Sequence, residues 1–213
     1  MRVRITFAKT EAMRFTSHLD LQRTWERTLR RAGLPLAYSQ GFTPRPRIQL
    51  AAALPLGFTS QGEVMDIWLE ETLPLPSIEA ALQTALPPGL RLLDIQETAL
   101  NLPPLQTQLH SSEYLLTLAE PDANLEARLA PLLAADTLPR ERRGKPYDLR
   151  PLIEDLRLLS SNESGQPRMH LRLTAREGST GRPEAVLESL GINPETTQIC
   201  RMRLNMENSC QDY

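Results

Sequence analysis

Apolar and polar residues alternate at the start of the chain. Val3, Ile5 and Phe7 fall on one side and Arg2, Arg4 and Thr6 on the other, which predicts a half-buried strand over residues 2–9. The period then changes. Leu21, Trp25, Leu29 and Ala32 recur at helical spacing, and Ser17 precedes Asp20 by three positions, as in a capping box with aspartate in the usual glutamate place. This predicts a helix to about Arg31, stopped by Gly33 ahead of Pro35. Gly41 to Pro46 reads as a loop, because its prolines cannot join a strand ladder. Strand patterns follow at Ile48–Leu54 and Glu63–Glu70. In the second, Met65, Ile67 and Leu69 oppose Val64, Asp66, Trp68 and Glu70. A short helix is predicted over Pro76–Leu86 and a strand over Leu90–Thr98. The order is β-α-β-β-α-β. Its second strand is Leu34–Tyr38, Ile48–Leu54, or one bent element containing both.

Residues 101–108 form a polar, proline-containing link, after which the pattern restarts. Ser111–Leu118 reads as a strand, and Asp122 as the cap of a helix from Ala123 to about Ala135. A basic loop over Arg140–Lys145 leads into Tyr147–Leu159, which Pro151 leaves open as strand or helix. Ser160–Pro167 is hairpin-like, Met169–Thr174 a strand and Gly178–Gly181 a loop. Pro183 leads a helix over Glu184–Leu190, and Gln198–Asn205 is the last strand. The expected fold class is α+β: two tandem ferredoxin-like (split β-α-β) units with antiparallel sheets. Residues 1–100 would be the first, with its basic helix and Gly/Pro loop, and 109–206 the second. Residues 207–213 would be a disordered tail.

Composition narrows the class. The 213 residues suit two domains of ordinary size, and 40% apolar content allows real cores. No apolar run approaches the roughly 18 residues of a membrane span, so no membrane association is expected. The amino end lacks the apolar stretch of a secretory signal, and a cytoplasmic location is the expectation. Cys200 and Cys210 fit neither a disulfide framework nor a zinc spacing and read as small apolar fillers. No metal and no cofactor is expected.

Charge is distributed unevenly. Lysine and arginine total 24 against 26 acids, and only Lys9 and Lys145 are lysine. Residues 1–50 hold ten basic and three acidic residues, an excess of seven, which leaves a net −9 on the rest. Such asymmetry predicts an anion-binding face on an acidic body. Arg23, Arg27 and Arg30 recur at i, i+4 and i+7, with Arg31 alongside, and only Asp20 and Glu26 lie near enough to relieve them. Guanidinium forks suit phosphate oxygens. Arg14 precedes this helix. Arg45 and Arg47 follow it, beside Tyr38 and Phe42, whose rings could stack on unpaired bases. A second cluster holds Arg140, Arg142, Arg143 and Lys145, with Gly144 as its turn. A solvated arginine-rich surface, with Tyr38 and Phe42 as loop anchors, is the competing reading of all these positions. His18 is the best catalytic candidate, because imidazole titrates near neutrality. A lone histidine is more often a packing or capping residue. No P-loop, GxGxxG, HExxH or Ser-His-Asp pattern is legible, and no CxxxCxxC cluster motif.

Four segments together carry a resemblance. Phe15-Thr-Ser-His-Leu-Asp-Leu, Arg30-Arg-Ala-Gly-Leu-Pro-Leu-Ala-Tyr-Ser-Gln-Gly-Phe-Thr-Pro-Arg-Pro, Ala53-Leu-Pro-Leu-Gly and Tyr147-Asp-Leu-Arg-Pro-Leu-Ile look like the bacterial radical-SAM-linked (radical-SAM-associated) protein family, a domain of unknown function. The resemblance spans most of the chain and is most specific over residues 14–57. It implies a module found alone or fused behind a radical-SAM domain, with gene neighbours concerned with ribosomes and RNA processing. The enzyme half of the fused form is absent from this sequence, which favours an accessory role.

The expected function is therefore an RNA-binding accessory protein, acting on tRNA or rRNA with a separately encoded radical-SAM enzyme. DNA is not an expected partner. Activity of its own is the less favoured outcome. One rival is a metal-independent endoribonuclease resembling the CRISPR repeat-processing enzymes and using His18. Another is a protein-interaction module whose arginine face docks on an acidic partner.

Overall fold

A computed structural model describes residues 1–122 and 124–206. The disordered tail expected at 207–213, with Cys210, lies outside the described residues, as does Ala123. The chain divides into two compact units, Met1–Gln108 and Leu109–Tyr213.

Unit 1 runs β1 (Arg2–Lys9), α1 (His18–Arg31), β2 (Ile48–Leu50), β3 (Thr59–Trp68), α2 (Leu75–Ala85) and β4 (Leu90–Thr98). Its strands pair antiparallel in the order β4-β1-β3-β2. One sheet face is apolar because Val3, Ile5, Phe7, Met65 and Ile67 alternate onto it. The stripe Leu21, Trp25 and Leu29 of α1 and Ile78 and Leu82 of α2 bury that face. Phe7 meets Trp25 edge to face, with centroids 4.8 Å apart. The Ser17 hydroxyl caps α1 by accepting from the Asp20 amide at 3.2 Å. At the other end Gly33 takes the left-handed conformation, at φ 67°, that a helix stop favours.

Three sequence expectations change here. The second strand is only Ile48–Leu50. Leu34–Tyr38 contributes two isolated bridges, Leu36 to Leu69 and Tyr38 to Pro46. Residues 101–108, read as a link, pack into unit 1. Leu105 is fully buried, its amide donates to Gln49 Oε1 at 2.8 Å, and the segment ends in a 3₁₀ turn over Leu105–Gln108. Arg2, assigned to the solvent side of β1, is buried. Its Nε and Nη2 donate to Asp66 Oδ2 at 2.9 and 2.6 Å, and its remaining bonds go to the Leu102 and Pro103 carbonyls. Arg4 closes the other side of the same carboxylate, Nε to Oδ1 at 2.8 Å.

Unit 2 runs β5 (Leu109–Thr117), α3 (Leu125–Ala134), β6 (Pro139–Arg142), β7 (Lys145–Asp148), β8 (Ile153–Leu159), β9 (Arg168–Arg176), β10 (Ser179–Thr180), α4 (Pro183–Ser189) and β11 (Gln198–Met206). Its main strands pair antiparallel as β11-β5-β9-β8, with β10 on β9 and β6-β7 as a separate hairpin. The segment left open at 147–159 is strand, a 3₁₀ turn over Arg150–Leu152 that accommodates Pro151, and strand again. α3 begins at Leu125. Asp122 accepts from the Asn124 amide at 3.1 Å and pairs with Arg128, so it forms a turn before the helix rather than capping it directly. The chain is thus a mixed α+β protein with four α-helices among the described residues.

Asp66→Ala would leave the buried Arg2 charge uncompensated. It is expected to destabilise unit 1 by about 3–5 kcal/mol, read from the midpoint of chemical denaturation. Combining Asp66→Leu with Arg2→Met is expected to recover most of that loss. A single variant as stable as the wild type would show that this ion pair contributes little.

Candidate functional site

The buried stripe of α1 fixes what its outer face presents. With Leu21, Trp25 and Leu29 turned inward, positions 19, 22, 23, 26 and 30 face outward. A cleft of about 260 Å³ lies there, lined by Leu19, Gln22, Arg23, Glu26 and Arg30 of α1 and by Pro44, Arg45 and Pro46. The opposite wall is held by backbone bonds. Ser39 N donates to Arg45 O at 2.8 Å, Arg45 N to Ser39 Oγ at 3.0 Å, and Arg47 N to Ala37 O at 2.8 Å. Three guanidinium groups therefore share the cleft with one carboxylate, Glu26. Arg23 also pairs with Asp20 at 3.3 Å, but both side chains are well exposed and the pair is worth little. Neither Arg30 nor Arg45 has a carboxylate or carbonyl partner for its side chain among the described residues.

A larger cavity of about 600 Å³ adjoins it along α1, since Gln22 lines both and Arg47 follows the Arg45–Pro46 wall. His18, Gln22, Arg47, Gln49, Trp68 and Gln106 supply its chemistry. The guanidinium of Arg47 lies 4.7 Å from the Trp68 ring centroid and that of Arg2 4.8 Å from it.

The other candidate residues are dispersed. Arg27 is exposed but outside the cleft, about 40° further round the helix than Arg23. Arg31 donates to the Ala85 carbonyl at 3.3 Å, at the end of α2. Arg14 is engaged structurally: Nε donates to Gly57 O at 2.9 Å, Nη1 reaches Glu11 at 3.2 Å, and its guanidinium lies 5.4 Å from the Phe15 ring. Tyr38 is partly exposed and Phe42 fully exposed, and neither lines the cleft or the cavity.

In unit 2 the expected basic loop is a hairpin. Arg143 and Gly144 both have positive φ, 52° and 74°, which gives the tight turn a right-twisted ribbon requires. Arg142 pairs directly with Lys145 across the strands, an unfavourable like-charge contact that leaves the tip strongly cationic. Arg140 is set apart, with one donor on Ser189 of α4.

Sequence reasoning passed over one further cluster. On the sheet of unit 2, His170 Nδ1 contacts Asp155 Oδ2 at 2.9 Å, and Nε2 lies 3.5 Å from Glu113 Oε2. Asn205 donates to Glu113 Oε1 at 2.8 Å. The Asn205 amide, followed by His170 and Arg203, holds the Glu113 carboxyl below the usual glutamate range, against the opposing effect of burial. These residues come from four strands, so no local spacing announces them. Among the described residues no group of three or more His, Cys, Asp or Glu side chains is arranged to hold a metal ion. Nor is any helix among them long and apolar enough to cross a membrane.

Fold and site define a two-unit α+β protein whose first unit presents a guanidinium-lined cleft beside a tryptophan-containing cavity. The chain belongs to the family described as "Uncharacterized protein conserved in bacteria (DUF2344)", whose model matches residues 2–183. No curated protein matches it in sequence. Among solved structures it is similar to a chain of the "Crystal Structure of a Cbf5-Nop10-Gar1 Complex", at 9% identity and a TM-score of 0.53, covering 97% of this chain and 50% of that one. It also matches a chain of the "Structure of H/ACA RNP bound to a substrate RNA containing 2'-deoxyuridine", at 9% identity and a TM-score of 0.48, covering 95% and 47%. The protein thus spans about half the length of the chains it matches. The first likeness shows a shared fold, and the family membership stands on sequence.

Asn205→Ala is expected to cost about 1.5 kcal/mol near neutral pH, the low end for a hydrogen bond to a charged group because Glu113 is partly exposed. Because the folded pKa of Glu113 is lowered, that stability is fully present above the ordinary glutamate value of 4.5. It fades as pH falls through the lower folded value. Denaturation midpoints of the two proteins should therefore converge in acid, and a pH-independent gap would contradict the assignment.

Proposed function

We propose that this protein is an RNA-binding accessory protein, which holds tRNA or rRNA for a separately encoded radical-SAM enzyme in the cytoplasm. The single observation that carries the RNA reading is the convergence of Arg23, Arg30 and Arg45 on one cleft with one acid between them. A phosphodiester chain supplies the missing negative charge, and guanidinium groups bind it bidentately. Arg47 extends the cationic line toward the cavity, and Arg27 and Arg31 add to the field at its margin. Tyr38 and Phe42 are the stacking candidates. Arg142, Arg143 and Lys145 on the hairpin tip of unit 2 form a second set of phosphate contacts, with Arg140 at its base. Arg14 is the weakest candidate, given its carbonyl and carboxylate partners. The radical-SAM partner rests on the sequence resemblance alone, which is most specific over residues 14–57. We read both units as ferredoxin-like, because each has the same succession of main elements and the strand order fourth-first-third-second.

A second reading has one observation in its favour. His18 lines the cavity that adjoins the cleft, where a general base of an endoribonuclease would sit. Cleavage of bound RNA in EDTA that disappears in His18→Ala, with binding retained, would support it.

The test of the main reading is anisotropy of a labelled single-stranded oligoribonucleotide across a salt series. Affinity is expected to fall steeply with salt. Arg30→Ala with Arg45→Ala should lower the slope of log K against log salt by about 1.4, at roughly 0.7 per phosphate contact on a single strand. A flat salt response, or a double variant equal to the wild type, would overturn it. Capture of an acidic protein that survives ribonuclease treatment would point to the interaction-module alternative.

A further inference from the structure

We infer that the larger cavity of unit 1 is a pocket for one unpaired nucleobase of the RNA whose phosphates occupy the adjoining cleft. The inference rests on the RNA reading above and adds a base-recognition site to it.

Three features of the cavity point to a flat, hydrogen-bonding heterocycle rather than to a further phosphate. The first is its floor. Arg47 lies against the Trp68 ring, and a guanidinium plane so supported is a stacking surface for a base. No carboxylate holds Arg47 among the described residues, so the stack is not an incidental consequence of an ion pair. The second is its polar edge. Gln22 lines the cavity and its amide has no hydrogen-bond partner among the described residues. A glutamine amide offers a donor and an acceptor side by side, which match the amino group and ring nitrogen of adenine. By contrast Gln49 and Gln106 are already engaged. Gln49 accepts from Leu105 N at 2.8 Å, Gln106 donates to the Leu50 carbonyl at 2.8 Å, and the two amides bond each other. They form a fixed wall, and Gln22 is left as the group that reads a ligand. The third is size: about 600 Å³ lies within the range of small-ligand sites.

Continuity joins the pocket to the cleft. Gln22 lines both, and the chain passes from Arg45 and Pro46 on the cleft wall to Arg47 in the cavity with no intervening residue. A strand with its backbone along Arg30 and Arg45 can therefore turn one base into the cavity. The ligand that fits the Gln22 amide and the Arg47 surface is an unpaired adenine.

The protein carries its own reporter. Of the two tryptophans, Trp25 is fully buried in the core and Trp68 lines the cavity. An A-rich single-stranded oligoribonucleotide of about ten nucleotides, within the usual single-strand site size, is titrated while tryptophan fluorescence is followed. An abasic ribose-phosphate chain of the same length serves as the comparison. The A-rich strand should bind at least 5-fold tighter than the abasic chain and quench fluorescence, and the quenching should be lost in Trp68→Phe. Gln22→Ala lies on the outer face of α1 and exchanges one uncharged residue for another, so it should fold normally. It is expected to bring the ratio of A-rich to abasic affinity, both measured on the same variant, from at least 5-fold to about one. If Trp68→Phe fails to fold, quenching of 2-aminopurine placed in the strand reports the same stacking on the Gln22 pair. Equal, salt-dependent binding of both polymers to wild type and Gln22→Ala, without quenching, would overturn the base pocket and leave the RNA reading standing. Binding of neither polymer would remove both.

Discussion

The carboxylate of Asp66 is the constraint on which unit 1 turns. It is fully buried on β3, and a buried charge must be met by charge and hydrogen bonds or the element carrying it will not stay folded. Two residues of β1 meet it. Arg4 lies directly across in the strand register and Arg2 lies two positions further along. The carboxylate thus fixes the register of the two central strands from the face that the apolar core does not reach. A slip of one residue would carry the arginines to the apolar side and leave Asp66 alone. Arg2 then extends the network by donating to the Leu102 and Pro103 carbonyls, which hold the segment after β4 against the sheet. Its guanidinium also lies over Trp68, the residue that supports Arg47. One buried acid therefore organises the wall of the cavity.

The arginines of residues 1–50 divide by what they touch. Arg2 and Arg4 neutralise Asp66. Arg14 and Arg31 satisfy backbone carbonyls at Gly57 and Ala85, the usual duty of a guanidinium near a turn or helix end. Arg23, Arg30 and Arg45 face one cleft, and Arg47 the cavity beside it. The local excess of seven positive charges thus overstates the exposed cationic face, because part of it is spent inside the fold. What remains is more specific than a diffuse basic surface. Rigid elements hold it on both sides: α1 through its buried stripe, and the 44–47 segment through bonds to Ser39, Ala37 and Trp68.

The elements legible in the sequence were those with a strict period. Strand β1, helix α1 with its serine cap, β3, α2, β4, β9 and β11 follow from alternation or from helical spacing, and the structure sets them within a residue or a few of the expected bounds. Pairings between distant residues were not legible. Nothing in the local pattern of Arg2-Val-Arg4 says that an acid about sixty positions away will draw both arginines inward. At Arg140–Asp148 the turn at Gly144 is legible but the paired strands β6 and β7 are not, because the turn also places Arg143 in the left-handed region, where asparagine or aspartate is the usual signal. For the candidate site, charge and helical spacing point to Arg23 and Arg30, and charge in the following loop to Arg45, whereas Arg27 shares the spacing but lies outside the cleft. Gln22 and Trp68 carry no charge excess and fit no motif. Only their meeting at one cavity marks them.

His170 and His18 stand in different surroundings, one on the sheet of unit 2 and one at the wall of the unit 1 cavity. His170 in unit 2 sits between Asp155 and Glu113, and Glu113 in turn takes an amide from Asn205. Such a closed set of partners lowers the cost of an ionised Glu113 and fixes the imidazole in place, which serves the fold. A group meant to exchange protons with a ligand needs an edge turned toward the space the ligand occupies. His18 in unit 1 lines a cavity next to guanidinium groups, where a ligand's phosphates would bring negative charge near it. An acid–base role proposed for His18 would depend on a ligand reaching that cavity. In the proposed reading the cationic cleft comes first, because it must hold an anionic ligand before His18 at the adjoining cavity can meet it.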